Sequence, residues 1–337
     1  MAEPQLKFGV FYDFRNPRQF RQDWTERFRQ TFEQMDWVDR ESRFDEVSVP
    51  EHHFDEDGDT PSVLPLATAI AARTERVGIA TNIVQMPLHH PLNVAEDALT
   101  IDALSGGRFR LGLGIGYREE EFAGFGTTLR KRASRMEESI AILRRAFAGE
   151  PFSHEGQNWS FPELKVTPPP VREGGPPIWI GGSAKPALER AARLADGYLG
   201  STDELVSEYL ELCEEFSVPA AERRTQRVPW TVVAEDPERA LRDLGPYMLH
   251  QVNLYIEWGL TFLGDKPFTD AQELLDAGLY TMFDAAGAID YFRRSAEAGV
   301  QEIQLFAQAP GEPIATGFER LRYVSDHVIP AFQGGSE

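Results

Sequence analysis

The chain has 337 residues, a length that an α/β barrel with insertions reaches as one unit. Hydrophobic residues make up 42% and charged residues 26%, ample for a large buried core and unlike a disordered chain. With 34 basic and 54 acidic residues the formal net charge is −20, a field that repels phosphate backbones and anionic bilayers, so neither nucleic acid nor membrane is an expected partner.

Short runs rich in Val, Ile and Phe alternate with longer helical patterns, which signals βα units and a parallel sheet. The expected strands are Leu6 to Asp13, Asp45 to Pro50, Arg76 to Gln85, Phe109 to Ile115, Ile178 to Gly181, Gly197 to Gly200, Arg227 to Ala234 and Glu302 to Ala307. Helical patterns separate them at Trp24 to Arg40, Val63 to Arg73, Val94 to Leu104, Ser134 to Phe147, Ala187 to Ala195 and around Tyr209. Eight such units with no visible edge strand or switch point predict a closed (β/α)₈ TIM barrel rather than a doubly wound sheet. The expectation is a single domain over 1–337, with insertions around 150–177, which is Pro-rich, and around 237–299, where helical patterning breaks from Gly259 to Pro267.

The only cysteine, Cys213, permits no intrachain disulfide. Met1 to Lys7 has neither a basic nor an apolar targeting segment, and no window approaches 18 apolar residues, so a cytoplasmic protein is expected.

In such a barrel the reactive groups sit where strands end and βα loops begin. Four unusual runs fall there: Pro50-Glu51-His52-His53-Phe54, Pro87-Leu88-His89-His90-Pro91, Gly112-Leu113-Gly114-Ile115-Gly116-Tyr117 and Gly181-Gly182-Ser183. Neutral imidazole accepts a proton near pH 7 and a neighbouring carboxylate raises its basicity, so Glu51 with His52 or His53 is a candidate acid–base group; the alternative is a ring that caps a loop. Adjacent side chains of extended backbone point to opposite faces, so one of each histidine pair is expected to face the mouth. That same splitting works against a metal site, and none is expected.

The Gly112 to Gly116 pattern lacks the last spacing of the dinucleotide fingerprint and runs into a charged loop. Either Gly114 and Gly116 let a flat ring lie close to backbone, or the strand needs small residues for barrel closure. Gly181, Gly182 and Ser183 precede a helix with Pro186 near its start, which gathers N–H groups and a hydroxyl into a phosphate site, or simply an N-cap serine. Arg132 and Arg135 are candidate countercharges, or solvated surface.

At these residues the chain resembles the luciferase-like monooxygenases, the LLM-class flavin-dependent oxidoreductases. The likeness lies in Lys7 to Phe11, Phe44 to Phe54, Leu104 to Phe109, Gly112 to Tyr117, Phe125-Gly126 and Ile178 to Ser183, strong over Leu6 to Gly200 and weaker beyond. It implies a homodimeric barrel with insertions that binds FMN or the deazaflavin F420 at the C-terminal mouth. It also implies acid–base chemistry at His52, a second histidine at His90, and a non-prolyl cis peptide at Asn82 and Ile83 beneath the flavin ring. Ile115 stands where the luciferase subunits carry a phosphate-binding arginine, so light emission is not implied and phosphate binding rests on Gly182, Ser183 and Arg132. Phe11, Trp179 and Tyr117 are candidate apolar walls, or core.

The favoured expectation is a two-component monooxygenase that takes reduced FMN from a separate flavin reductase and uses O₂ on a small organic substrate, because no NAD(P) fingerprint is present. The alternatives are F420-dependent hydride transfer, a metal hydrolase at Glu51, His52 and His90, and a non-catalytic flavin-binding protein. Substrate contacts are expected from the loops at 119–126, 152–167 and 255–280.

Overall fold

The computed structural model describes residues 5–260 and 263–333. Parts of three expectations therefore lie outside the described residues: the start of the N-terminal segment, residues 261–262 of the Gly259 to Pro267 break, and the last four residues of the 1–337 unit.

The chain begins β1 (Lys7–Phe11), α1 (Trp24–Arg40), β2 (Glu46–Val49), α2 (Val63–Arg73), β3 (Gly78–Thr81), β4 (Val84–Gln85), α3 (Pro91–Leu104) and β5 (Phe109–Gly114). It continues with α4 (Glu119–Gly124), α5 (Arg132–Phe147), an antiparallel hairpin of β6 (Phe152–Glu155) and β7 (Ser160–Leu164), and then β8 (Ile178–Gly181). Next come α6 (Lys185–Leu194), β9 (Gly197–Gly200), α7 (Asp203–Glu215), β10 (Thr225–Arg227) and β11 (Thr231–Val233). The final part holds α8 (Pro237–Glu257), α9 (Ala271–Asp276), β12 (Thr281–Phe283), α10 (Ala285–Glu297), β13 (Glu302–Phe306) and α11 (Ile314–His327).

Eight parallel strands close in the order β1, β2, β3, β5, β8, β9, β10, β13, with β13 pairing back to β1 and β3 pairing with β5. This is the expected (β/α)₈ barrel. The apolar cluster that fills the space between strands and helices runs from Phe8, Val10 and Val47 to Leu188, Phe292 and Ile303. The 150–177 stretch holds the β6–β7 hairpin, and the stretch after β10 carries a smaller apolar cluster of its own, with Leu244, Met248, Val252, Leu274 and Tyr280 at its centre.

Two strand expectations need correction. The run Arg227 to Ala234 is not one barrel strand: the seventh barrel strand is β10, and β11 pairs in parallel with β12 in a separate two-stranded sheet. Pro229 explains the division, because it has no N–H for a ladder and its carbonyl instead accepts the Thr231 N–H at 3.0 Å in a turn. The expected strand from Arg76 to Gln85 is likewise broken into β3 and β4 at the Asn82–Ile83 peptide, which is cis.

The barrel lumen is polar. Alternate residues of β2, β5, β10 and β13 place Glu46, Arg110, Gln226, Glu302 and Gln304 in one network, in which Arg110 pairs with Glu302 at 2.7 Å and with Glu46. Gln304 donates to Glu46 at 2.6 Å, and Gly9 leaves room for it: a Cβ at Gly9 would lie 2.3 Å from Gln304. Burial pushes the Glu46 carboxyl up to about 7 in spite of Arg110.

Candidate active site

The C-terminal ends of the strands open into a cavity of about 460 Å³. Glu51, His52, Asn82, Ile83, Gly114, Gly116, Tyr117, Arg132, Gly181, Gly182 and Ser183 all line it. His90 is not among the lining residues. It caps α3, its Nδ1 accepting the Leu92 N–H at 3.3 Å, and its ring meets Trp159 edge-on at 4.6 Å.

The histidines divide between two carboxylates. Glu51 is buried, and its Oε1 accepts from His53 Nε2 at 3.0 Å and His89 Nε2 at 2.6 Å, while its Oε2 accepts the Gln85 N–H. Burial alone raises a carboxyl, but these donors and the charges of both rings overcome it and hold Glu51 at about 2. His52 turns the other way: its Nδ1 lies 3.0 Å from Glu121 Oε1, which also accepts the His53 N–H at 2.8 Å. The expectation that one member of each pair faces the mouth holds for the first pair, with His52 on the cavity and His53 behind it. The second pair is turned by the short 3₁₀ segment Met86–Leu88, so His89 reaches Glu51 and His90 faces away. Glu51, His53 and His89 bring three ligand-type atoms within 4.8 Å of one another, a trio that contains neither His52 nor His90.

One end of the cavity is formed by the turn that opens α6. Helix α6 starts after Ala184, so the cap residue is Ala184 and Ser183 stands one residue earlier on the cavity wall. Gly182 has φ +146, and a Cβ there would meet the Ala187 side chain at 2.7 Å. Tyr198 Oη donates to the Gly182 carbonyl at 2.7 Å, which turns that peptide's oxygen away. Arg132 also lines the cavity and donates to the Gly116 carbonyl at 2.8 Å, whereas Arg135 lies over the Trp159 ring at 4.4 Å and donates to the Pro87 carbonyl.

The floor is Asn82 and Ile83. Asn82 Nδ2 donates to Gln226 Oε1 at 3.1 Å, and Gln226 Nε2 donates at 3.1 Å to both Glu46 and Glu302 in the lumen. The glycines of β5 answer to neighbouring strands: a Cβ at Gly112 would lie 2.0 Å from the Thr81 carbonyl, and one at Gly114 would lie 2.5 Å from Ile83. Their small size is therefore required by strand packing, and Gly114 in addition faces the cavity. Phe11, Val228, Trp230 and Leu260 supply apolar wall. Trp179 does not; its ring carries the Arg110 guanidinium at 3.9 Å. Among the described residues none from 119–126 or 152–167 lines the cavity, so only 255–280, through Leu260, adds wall from the loops expected to do so.

Sequence reasoning missed Glu121, Gln85 and Gln226, and of the pair His89 and His90 it chose the one that faces away. Glu121 sits in the run Glu119-Glu120-Glu121, which reads as a solvated face, yet its side chain is fully buried.

A closed eight-stranded parallel barrel with its cavity at the C-terminal mouth is the architecture of the (β/α)₈ enzymes. The chain belongs to the luciferase-like monooxygenase family, whose profile matches residues 6–298. It is 28% identical over 277 residues to 4-hydroxyprotoasukamycin monooxygenase of Streptomyces nodosus subsp. asukaensis, covering 77% of this chain and 73% of that protein. It is 36% identical over 143 residues to an uncharacterised protein of Mycobacterium tuberculosis, where the match spans 42% of this chain and about half, 49%, of the relative. Among solved structures, the oxygenating constituent of 3,6-diketocamphane monooxygenase from Pseudomonas putida, in complex with FMN, superposes with TM-score 0.78 at 19% identity, covering 97% of this chain and 98% of that one. An F420-dependent secondary alcohol dehydrogenase in complex with an F420-acetone adduct superposes with TM-score 0.73 at 17% identity, covering 97% and 99%. At these identities the two structures speak for the fold. Among the described residues no helix is long and apolar enough to cross a membrane.

Proposed function

We propose that the protein is a two-component flavin monooxygenase, which takes reduced FMN from a separate flavin reductase and uses O₂ to oxidise a small, neutral, apolar organic substrate. The observation that carries this reading is the meeting, in one cavity, of an anion cradle at the start of α6, a flat floor at Asn82 and Ile83, and an imidazole at His52. A phosphate would be held by the Ser183 hydroxyl and Arg132, which both line the cavity, with Gly182 leaving room for it; Pro186 has no N–H and the Ala187 and Leu188 N–H groups are taken by the Ala184 carbonyl, so the start of α6 adds at most the Lys185 N–H. Asn82, Ile83, Gly114 and Gly116 line the same cavity of about 460 Å³, where a flat tricyclic ring would lie against them.

When bound, reduced FMN would supply the two electrons with which O₂ gives one oxygen atom to the substrate and one to water. The chain's own part is to bind and to manage protons. Arg132 and Ser183 would hold the phosphate, Asn82 would present its amide oxygen to the ring, and His52 would give or take a proton at Nε2 on the cavity side. Phe11, Trp230 and Leu260 exclude water and select apolar substrates. The reading includes one barrel domain with insertions around 150–177 and 237–299, a homodimer, and a cytoplasmic location, which the single buried Cys213 suits.

The test is turnover in ¹⁸O₂ with reduced FMN and a panel of neutral aldehydes, ketones and aromatic compounds. One ¹⁸O atom in a product supports the monooxygenase. Oxidised or reduced products without label, formed with F420 alone, replace it with hydride transfer.

A further inference from the structure

We infer that Glu121 is a positioning residue for His52: its carboxylate holds the imidazole in the tautomer with hydrogen on Nδ1, which leaves the Nε2 lone pair for proton exchange in the cavity. The inference rests on the acid–base role proposed for His52 and assigns the group that makes that role workable.

Three observations carry it. The Glu121 side chain has no solvent exposure, and its Oε1 lies 3.0 Å from His52 Nδ1. The same oxygen accepts the His53 N–H at 2.8 Å, and the Arg118 guanidinium stands 3.5 Å away while donating to the His53 carbonyl at 2.8 Å. Burial by itself raises this carboxyl, but the hydrogen bonds and charge of His52, with the His53 N–H, bring it below the ordinary value. Glu121 is therefore ionised at neutral pH and can only accept, which obliges Nδ1 to be the donor.

The rest of the surroundings leaves His52 no competing anchor for its ring. Tyr117 meets it edge-on at 5.6 Å and Trp258 packs on it at 4.9 Å. The Arg118 guanidinium lies over Trp258 at 4.1 Å, so this aromatic wall is itself fixed. The Asp59 carboxyl acts on His52 only through space, while its backbone carbonyl accepts the His52 N–H at 3.0 Å. Nε2 has no hydrogen-bond partner among the described residues, and the ring lines the cavity. A buried carboxylate on one ring nitrogen fixes the tautomer and the orientation of the ring. The local fold explains how a carboxylate arrives there: α4 begins one residue after Arg118, Glu119 and Glu120 face solvent, and the helical turn brings Glu121 inward.

The experiment combines ¹⁵N NMR of the histidine side chains in the protein as purified with a kinetic cycle over H52A, E121A and the double variant. The expected spectrum shows His52 with hydrogen on Nδ1 in the parent, moving toward the Nε2–H form in E121A. Turnover of the most active panel substrate should fall by roughly 10- to 100-fold in E121A, as for other groups that orient a functional histidine, with KM and the FMN Kd nearly unchanged and partial recovery in E121D. The double variant should be no slower than H52A alone. Hydrogen on Nε2 in the parent, or losses that multiply in the double variant, would overturn the inference. If E121A does not fold, the parent spectrum and the isosteric E121Q decide. Unchanged turnover in H52A would instead remove the acid–base role of His52, a failure that the parent's tautomer tells apart from a failure of Glu121.

Discussion

The Asn82 amide at the cavity floor donates to Gln226 Oε1 at 3.1 Å, and through it the floor is tied to the Glu46 and Glu302 carboxylates in the barrel lumen. Because the Gln226 amino group bridges two acceptors, its own oxygen must face Asn82, and Asn82 must then offer its nitrogen downward. That leaves Asn82 Oδ1 without a partner among the described residues and free to receive an N–H from a bound ring. Gln226→Leu should therefore weaken reduced-FMN binding by about three- to tenfold, the worth of one hydrogen bond, and lower folding stability by ~1–3 kcal/mol. Anaerobic equilibrium dialysis and urea unfolding measure the two effects. An unchanged Kd would show that the floor amide is not set from below.

Glu51 gives a pH dependence of known sign. Its folded-state value is about 2, below the ordinary 4.5, so the ionised form is favoured by folding. The stabilisation is present above the unfolded value and is lost as pH falls from about 4.5 through about 2, a loss on the order of 3 kcal/mol. His89 acts with the opposite sign: burial lowers it, yet the Glu51 carboxylate raises it above 6.5 overall, so its contribution is present below that value and fades as pH rises through the raised one. Glu51→Gln should flatten the acid limb of a denaturation-midpoint profile and also diminish the limb above pH 6.5. A variant that keeps both limbs contradicts the assignment.

Gly182 tests the anion cradle. Its φ of +146 and the 2.7 Å approach of Ala187 to a Cβ mean that Gly182→Ala must shift the turn that opens α6. A strain of ~1–3 kcal/mol at that turn should weaken FMN by roughly 5- to 100-fold and leave riboflavin, which has no phosphate, almost unaffected. Equal losses for both ligands would place the phosphate elsewhere.

The barrel was legible because strands buried on both faces read as apolar runs between helical patterns, as in Phe8 to Phe11 and Ile178 to Ile180. The seventh strand was not, since Thr225-Gln226-Arg227 is polar: Gln226 faces a polar lumen, while the more apolar run after Pro229 looked like the better strand. The cavity glycines and His52 were legible from their place at strand ends, and Arg132 from its place at the opening of α5. The partners of the histidines were not. Which of His89 and His90 turns inward depends on a 3₁₀ turn rather than on alternation, and Glu121 is brought to His52 by one turn of α4 from 69 positions along the chain.

The most direct test is anaerobic titration of the purified protein with reduced FMN and, separately, with reduced F420, followed by admission of air while absorbance is recorded. The account predicts one tightly bound reduced FMN per chain, which reacts with O₂ while still bound. Failure to bind reduced FMN, or binding of F420 alone in a form inert to air, would contradict it and move the protein to the hydride-transfer members of the family.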